Sequence, residues 1–112
     1  MKIYLANAFS LNMIQGNQAI VHVQKIMPEV ARDLVKYAEV ESYVGHEVTA
    51  KLMSLLLGIE VPVNRSELKI RDGEIIVLTL SSRLPEGTVI KSIEDIQNIK
   101  YQLWHVMVMS VG

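Results

Sequence analysis

The chain has 112 residues, half of them apolar and 21% charged, with a formal net charge of -1. That length fits one domain over residues 1–112, and the apolar share is that of a chain with a real core rather than a disordered one. The near-neutral charge excludes a surface built to grip long nucleic acid, and the lack of cysteine excludes disulfides, thiolate metal sites and cysteine nucleophiles.

The first residues show neither the apolar core nor the small-residue cleavage pattern of a secretory signal, and no run of about 18 apolar residues exists to span a bilayer. A cytoplasmic protein with no membrane partner is expected. Residues 2–8 are mostly apolar and predict a buried first strand that runs into the polar turn around Ser10 and Asn12. Residues 18–26 alternate, with Ile20, His22, Gln24 and Ile26 on one side, and predict a second strand. Pro28 suits the first turn of a helix, and Val30, Leu34, Tyr37 and Ala38 recur at helical spacing as far as Ala38, which predicts an amphipathic helix.

Residues 40–44 predict a brief strand. Gly45 then allows a sharp turn into a second helix over residues 46–57, with Gly58 as its stop. In that helix Val48, Leu52, Leu55 and Leu56 form the buried stripe. Glu47, Lys51 and Ser54 form the wet face, Glu47 and Lys51 being spaced as an ion pair. Residues 66–71 and 74–81, joined by Asp72-Gly73, predict a hairpin with a tight turn. Ser92 predicts the cap of a third helix over residues 93–99, and residues 101–111 a long apolar final strand. The expected fold class is α+β: a mixed sheet of about five strands with helices mainly on one face.

Three histidines are available. His46 stands at the predicted helix start, where unpaired backbone N–H groups make an anion site, and imidazole both gives and takes a proton near neutrality. Its plain alternative is a surface residue that merely begins a helix. His22 and His105 fall inside strands and read as structural. No histidines are spaced for a shared metal, so no metal or other cofactor is expected.

Arg65 and Arg83 flank apolar strands, where a scaffold presents guanidinium groups to phosphate; exposed structural arginines are the alternative. Glu86, in a Pro-Glu-Gly loop, is either a ligand-orienting carboxylate or a solvated turn residue. Ser10 has no general base in sequence and no nucleophile elbow around it, so it reads as a hydrogen-bond donor. Met53, Met107 and Met109 read as core filling.

Four stretches taken together resemble the anti-CRISPR ring nuclease family of archaeal viruses, which has relatives in bacterial mobile elements and hosts. They are Asn7-Ala8-Phe9-Ser10 with Asn12-Met13, Gly45-His46-Glu47 with Thr49, Asn64-Arg65, and Ser81-Ser82-Arg83-Leu84-Pro85-Glu86-Gly87, in order from residue 2 to about residue 108. The resemblance implies a homodimer that binds cyclic tetra-adenylate and cuts it into linear di-adenylate with a 2′,3′-cyclic phosphate, switching off type III CRISPR signalling. It implies catalytic roles for His46, as general acid, and Glu86, and ligand contacts from Asn7, Ser10, Asn12, Gly45, Arg65 and Arg83. Two positions depart from that pattern: Ser82 stands where glutamine is common and Glu47 where aspartate is common. Pro85 stiffens the loop beside Glu86.

The resemblance leads to the expectation that the ribose 2′-hydroxyl attacks its own 3′-phosphate while His46 protonates the departing 5′-oxygen, a route that needs no metal. Two other readings use the same residues differently. A sensor or sponge for a cyclic nucleotide needs the arginines but not His46, and a viral interaction module needs only a sheet edge.

Overall fold

The computed structural model describes residues 1–82 and 84–111. Its elements in chain order are β1 (Lys2–Ala6), β2 (Ala19–Ile26), α1 (Pro28–Lys36), β3 (Glu39–Tyr43), α2 (Glu47–Leu57), β4 (Gly73–Leu80) and β5 (Tyr101–Ser110), with 3-10 turns at Leu11–Met13 and Ile93–Ile96. The five strands form one mixed sheet in the order β2-β5-β4-β1-β3. β1 is parallel to both β3 and β4, while β5 is antiparallel to β4 and β2. Four strands therefore point one way, and their carboxyl ends share an edge.

Both helices lie on one face of this sheet. Ala31 and Val35 of α1, Leu52, Met53 and Leu56 of α2, and Ile3, Leu5, Ile76, Leu78 and Leu103 of the strands form one buried cluster. The opposite strand residues, Ala6, Ile75, Val77, Val106 and Val108, form a second cluster, closed by Leu68 and Ile70 with Phe9 and Met13 packed against it. Irregular chain covers this second face, tied together where Ile14 bridges Ile70.

Several expectations need correction. The stripe of α1 holds at Leu34 and Ala38, which pack against the core, but its deepest residues are Ala31 and Val35, whereas Val30 is 45% and Tyr37 86% exposed. In α2 the Ser54 hydroxyl does not face water alone; it donates to the Ala50 carbonyl (2.8 Å) and accepts from the Val61 N–H (3.0 Å). Glu47 and Lys51 make no ion pair among the described residues. Met53 is fully buried as expected, but Met109 is 41% exposed.

The hairpin around Asp72-Gly73 does not form. Residues 66–71 contain no strand, because Leu68 and Ile70 turn into the second core cluster, and β4 takes β1 and β5 as neighbours. Asp72 instead accepts hydrogen bonds from the Ser110 N–H (2.7 Å) and hydroxyl, pinning the end of β5 to the start of β4. The third helix shrinks to the single turn Ile93–Ile96, although Ser92 and Asp95 make the reciprocal capping box that the cap position implies. Gly58 ends α2 in the left-handed conformation (φ 70°) as expected. Among the described residues no helix is long and apolar enough to cross a membrane.

Candidate functional site

At the carboxyl edge of the parallel strands β1, β3 and β4 the chain leaves the sheet in three places, and the exits of β3 and β4, with the loop after α2, build a cavity of about 390 Å³. Its walls include His46, Glu47, Val48 and Thr49 from the start of α2, Arg65 from the loop beyond it, Leu80 from the end of β4, and Leu84, Pro85, Gly87 and Thr88 from the β4–β5 connection. That connection begins and ends at one point, where the Ser81 N–H donates to the Lys100 carbonyl (2.9 Å). Ligands of open sheets with parallel strands favour this edge, because the strand ends present loops and helix starts together.

His46 caps α2 with extended backbone (φ -126°, ψ 131°), and its carbonyl accepts the first helical bond, from Ala50 N–H at 2.9 Å. The N–H groups of Glu47, Val48 and Thr49 precede that bond and have no protein acceptor among the described residues. The same three residues line the cavity. A helix start leaves such donors orphaned and carries partial positive charge, so they suit an anion placed beside the imidazole. The His46 side chain is exposed and makes no hydrogen bond or ion pair with a described residue.

Gly45, just before it, is held from both sides. Its N–H donates to Asn7 Oδ1 (3.0 Å), and its carbonyl accepts from Arg65 Nε (3.1 Å). The bracket spans three segments far apart in the chain and fixes the peptide that carries His46. Gly45 itself has no positive φ, and a Cβ there would meet Arg65 Cγ at an ordinary 3.6 Å, so neither the turn nor a close approach requires glycine. With Nε engaged, both terminal nitrogens of Arg65 remain without a described partner, in the forked geometry that suits phosphate.

The other expected residues separate into two groups. Asn7 belongs to the site, but as a support behind Gly45 rather than as part of the cavity wall. Ser10 and Asn12 lie in the exposed turn after β1, flanked by Phe9 and Met13, which pack on the second face. Asn12 offers only its carbonyl, to Lys69 Nζ (2.6 Å). The structure does not bring these two to the cavity. Glu86 is exposed at the corner of a turn closed from Thr88 N–H to Pro85 carbonyl (3.1 Å), with Gly87 at φ 83°; Pro85 and Gly87 line the cavity and Glu86 does not. Arg83 lies outside the described residues.

Sequence reasoning left out Leu80 and Thr88 as wall residues, read Val48 as core, and named Thr49 only within the resemblance. Thr49 follows from the helix start once His46 is its cap, whereas nothing near Leu80 or Thr88 marks them. The assignment of the remaining histidines as structural holds for His105, whose Nε2 lies 2.8 Å from Glu74 Oε1 with both side chains largely covered. His22 is exposed on the edge strand β2. No group of three or more His, Asp or Glu is arranged to hold a metal among the described residues.

Fold and cavity together define a small α+β protein with a mixed five-stranded sheet, whose strand ends bring a histidine-capped helix start against an arginine. The chain belongs to the STIV B116-like family, whose profile matches residues 3–103. It is 33% identical over 103 residues to "Uncharacterized protein 26" of Sulfolobus islandicus filamentous virus (isolate Iceland/Hveragerdi), covering 91% of this chain and 87% of that one. To "Uncharacterized protein ORF117" of Acidianus two-tailed virus it is 29% identical over 107 residues, covering 93% and 91%. Among solved structures it is similar to B116 of Sulfolobus turreted icosahedral virus, with a TM-score of 0.81 and 28% identity over 95% of this chain and 98% of that one.

These matches support the expected viral or mobile-element origin and correct the family name drawn from the motifs. The family is STIV B116-like, and the labels ring nuclease and anti-CRISPR, with the cyclic-oligoadenylate identity attached to them, give way to it. A physical reason accompanies the correction. Asn7, Gly45, Asn64 and Arg65 bond to one another or to neighbouring backbone, so the order and spacing of those motifs express how this fold is held as much as any chemistry.

Proposed function

We propose that the protein binds cyclic tetra-adenylate in the His46 cavity, completed by a second copy of the chain, and opens it to linear di-adenylate with 2′,3′-cyclic phosphate. The observation that carries this reading is the meeting of three unengaged features in one cavity: the His46 imidazole, the N–H groups of residues 47–49 and the terminal nitrogens of Arg65. A phosphodiester seated on the N–H groups and Arg65 has its leaving oxygen beside a proton donor.

In the proposed step the 2′-oxygen forms a bond to the neighbouring phosphorus as the bond from phosphorus to the 5′-oxygen breaks in line with it. The 2′-hydroxyl proton passes to solvent, and protonated His46 gives its proton to the departing 5′-oxygen. The nucleophile belongs to the ligand, so the step asks the protein only for alignment, charge neutralisation and one proton. Nothing in it depends on Glu86.

A single cavity of about 390 Å³ is small for a ring of four nucleotides. A twofold pair of subunits presents two His46 side chains to two equivalent linkages, and two cuts give two halves. The proposal is tested by incubating purified protein with cyclic tetra-adenylate in chelator and resolving the products by chromatography. Appearance of the di-adenylate product supports it. Tight binding with the ring left intact overturns the cleavage step in favour of a sponge, and no binding at all overturns the ligand.

A further inference from the structure

Arg65 lies between the end of α2 and the start of β4, residues 58–72, where no helix or strand fixes the backbone. Its position against Gly45 must therefore come from particular bonds, and these converge on two residues outside the cavity. Ser42, in β3, is one of two buried polar residues in the described chain. Its hydroxyl donates to the Pro62 carbonyl (2.6 Å) and accepts from the N–H of fully buried Val44 (3.2 Å).

Asn64 completes the clasp. Its Nδ2 donates to the Ser42 carbonyl (2.9 Å), its backbone N–H donates to the Val44 carbonyl (2.9 Å), and its Oδ1 accepts from the Ser66 N–H (3.0 Å). Between them Val63 bridges Val44 in parallel. The chain is thus held in one register against the end of β3 immediately before Arg65, and Ser66, immediately after it, is tied back to the Asn64 side chain. A slip of one residue would set Asn64 or Ser66, neither of them cationic, opposite Gly45.

We infer that Ser42 and Asn64 are positioning residues of the site, acting on a phosphodiester only through Arg65. This inference rests on the proposed function for its ligand but not for its geometry. Apolar contacts would anchor the loop as firmly without setting its register; a buried hydroxyl and an amide with every group engaged set both. Neither residue lines the cavity, so neither is expected to touch ligand or change the proton transfer.

The test is a double-mutant cycle read as equilibrium affinity for cyclic tetra-adenylate, with turnover blocked by His46→Ala throughout. Ser42→Ala and Asn64→Ala are each expected to weaken binding roughly tenfold with Arg65 present and by less than about twofold once Arg65→Ala is in place. Equal losses in both backgrounds would mean that they act on the structure at large and would overturn the inference. A second readout uses the free protein. The Arg65 Nε–H signal in NMR, held by the Gly45 carbonyl, is expected to lose its protection from exchange in Asn64→Ala while the core amides of β1 and β4 keep theirs. An unchanged Arg65 signal overturns the inference whether or not cyclic tetra-adenylate binds, and half-buried Asn64 carries this arm should Ser42→Ala fail to fold. Absence of binding in the parent protein would instead overturn the ligand assignment and leave this arm to decide the clasp.

Discussion

The two ends of the sheet treat charge in opposite ways. At the end where β4 begins, several charged groups are engaged: His105 with Glu74 at 2.8 Å, Asp72 with the Ser110 N–H at 2.7 Å, and Lys2 with Glu41 at 2.6 Å where β1 and β3 start. At the carboxyl end, none of the charged groups that line the cavity joins an ion pair among the described residues, and three helix N–H groups lack acceptors. A fold can satisfy its polar groups at one end and leave donors and a proton carrier open at the other. Two of the three histidines show the contrast most clearly, since His105 is committed to a carboxylate and His46 only caps a helix.

The sharpest way to break that contrast is His46→Ala. It is expected to lower turnover of cyclic tetra-adenylate by about 10² to 10⁴ with binding retained, measured as single-turnover cleavage beside equilibrium affinity. Near-normal cleavage would remove the open histidine from the mechanism. Next in size, Arg65→Ala is expected to lose about 1.5–3 kcal/mol of binding, roughly ten- to 150-fold in affinity. Because one phosphate contact disappears, the dependence of affinity on salt should flatten, and an unchanged salt slope would place the arginine off the ligand.

The engaged end predicts the reverse pattern. His105→Ala strands Glu74 at a largely covered position and is expected to cost about 1–3 kcal/mol of stability in denaturant unfolding, with turnover untouched. A fall in turnover without a fall in stability would contradict the division of roles. The smallest effect belongs to Asp72, whose carboxyl is held below its ordinary pKa first by the Ser110 backbone N–H and then by the Ser110 hydroxyl. A carboxylate lowered in this way stabilises fully above its unfolded value, about pH 4, and loses that contribution as the pH falls through its folded value. Asp72→Asn should therefore lower the melting temperature slightly at pH 7, with the gap between mutant and parent closing in acid. A gap that widens in acid would reverse the sign and reject the assignment.

Local periodicity and punctuation made much of this fold legible. Strands β1 and β2, the span of α2 and its stop at Gly58 follow from alternation, apolar spacing and a glycine in the left-handed conformation. His46 at the start of α2 follows from the same pattern, read there as the first helical residue and found to be the cap. What stayed hidden depends on distant chain. Asp72-Gly73 reads as a turn, but Ser110 claims the aspartate and β1 and β5 claim the strand after it. Leu68 and Ile70 look like strand residues because they are apolar, yet they serve to plug the second face. In α1 Leu34 and Ala38 pack against the core as their spacing implies, but Val30 and Tyr37 obey the same spacing and stay exposed while Ala31 and Val35 are buried. The bracket around Gly45 joins residues 7, 45 and 65, a juxtaposition that no local pattern announces.

One chemical substitution reaches the central claim without relying on the loss of activity alone. If His46 protonates the departing 5′-oxygen, replacing that oxygen by sulfur, which leaves readily as thiolate, removes the need for the proton. Cleavage of a cyclic tetra-adenylate with bridging 5′-sulfur should then proceed at similar rates with the parent protein and His46→Ala, although the mutant fails on the oxygen ring. A mutant equally defective on both rings would contradict proton donation by His46.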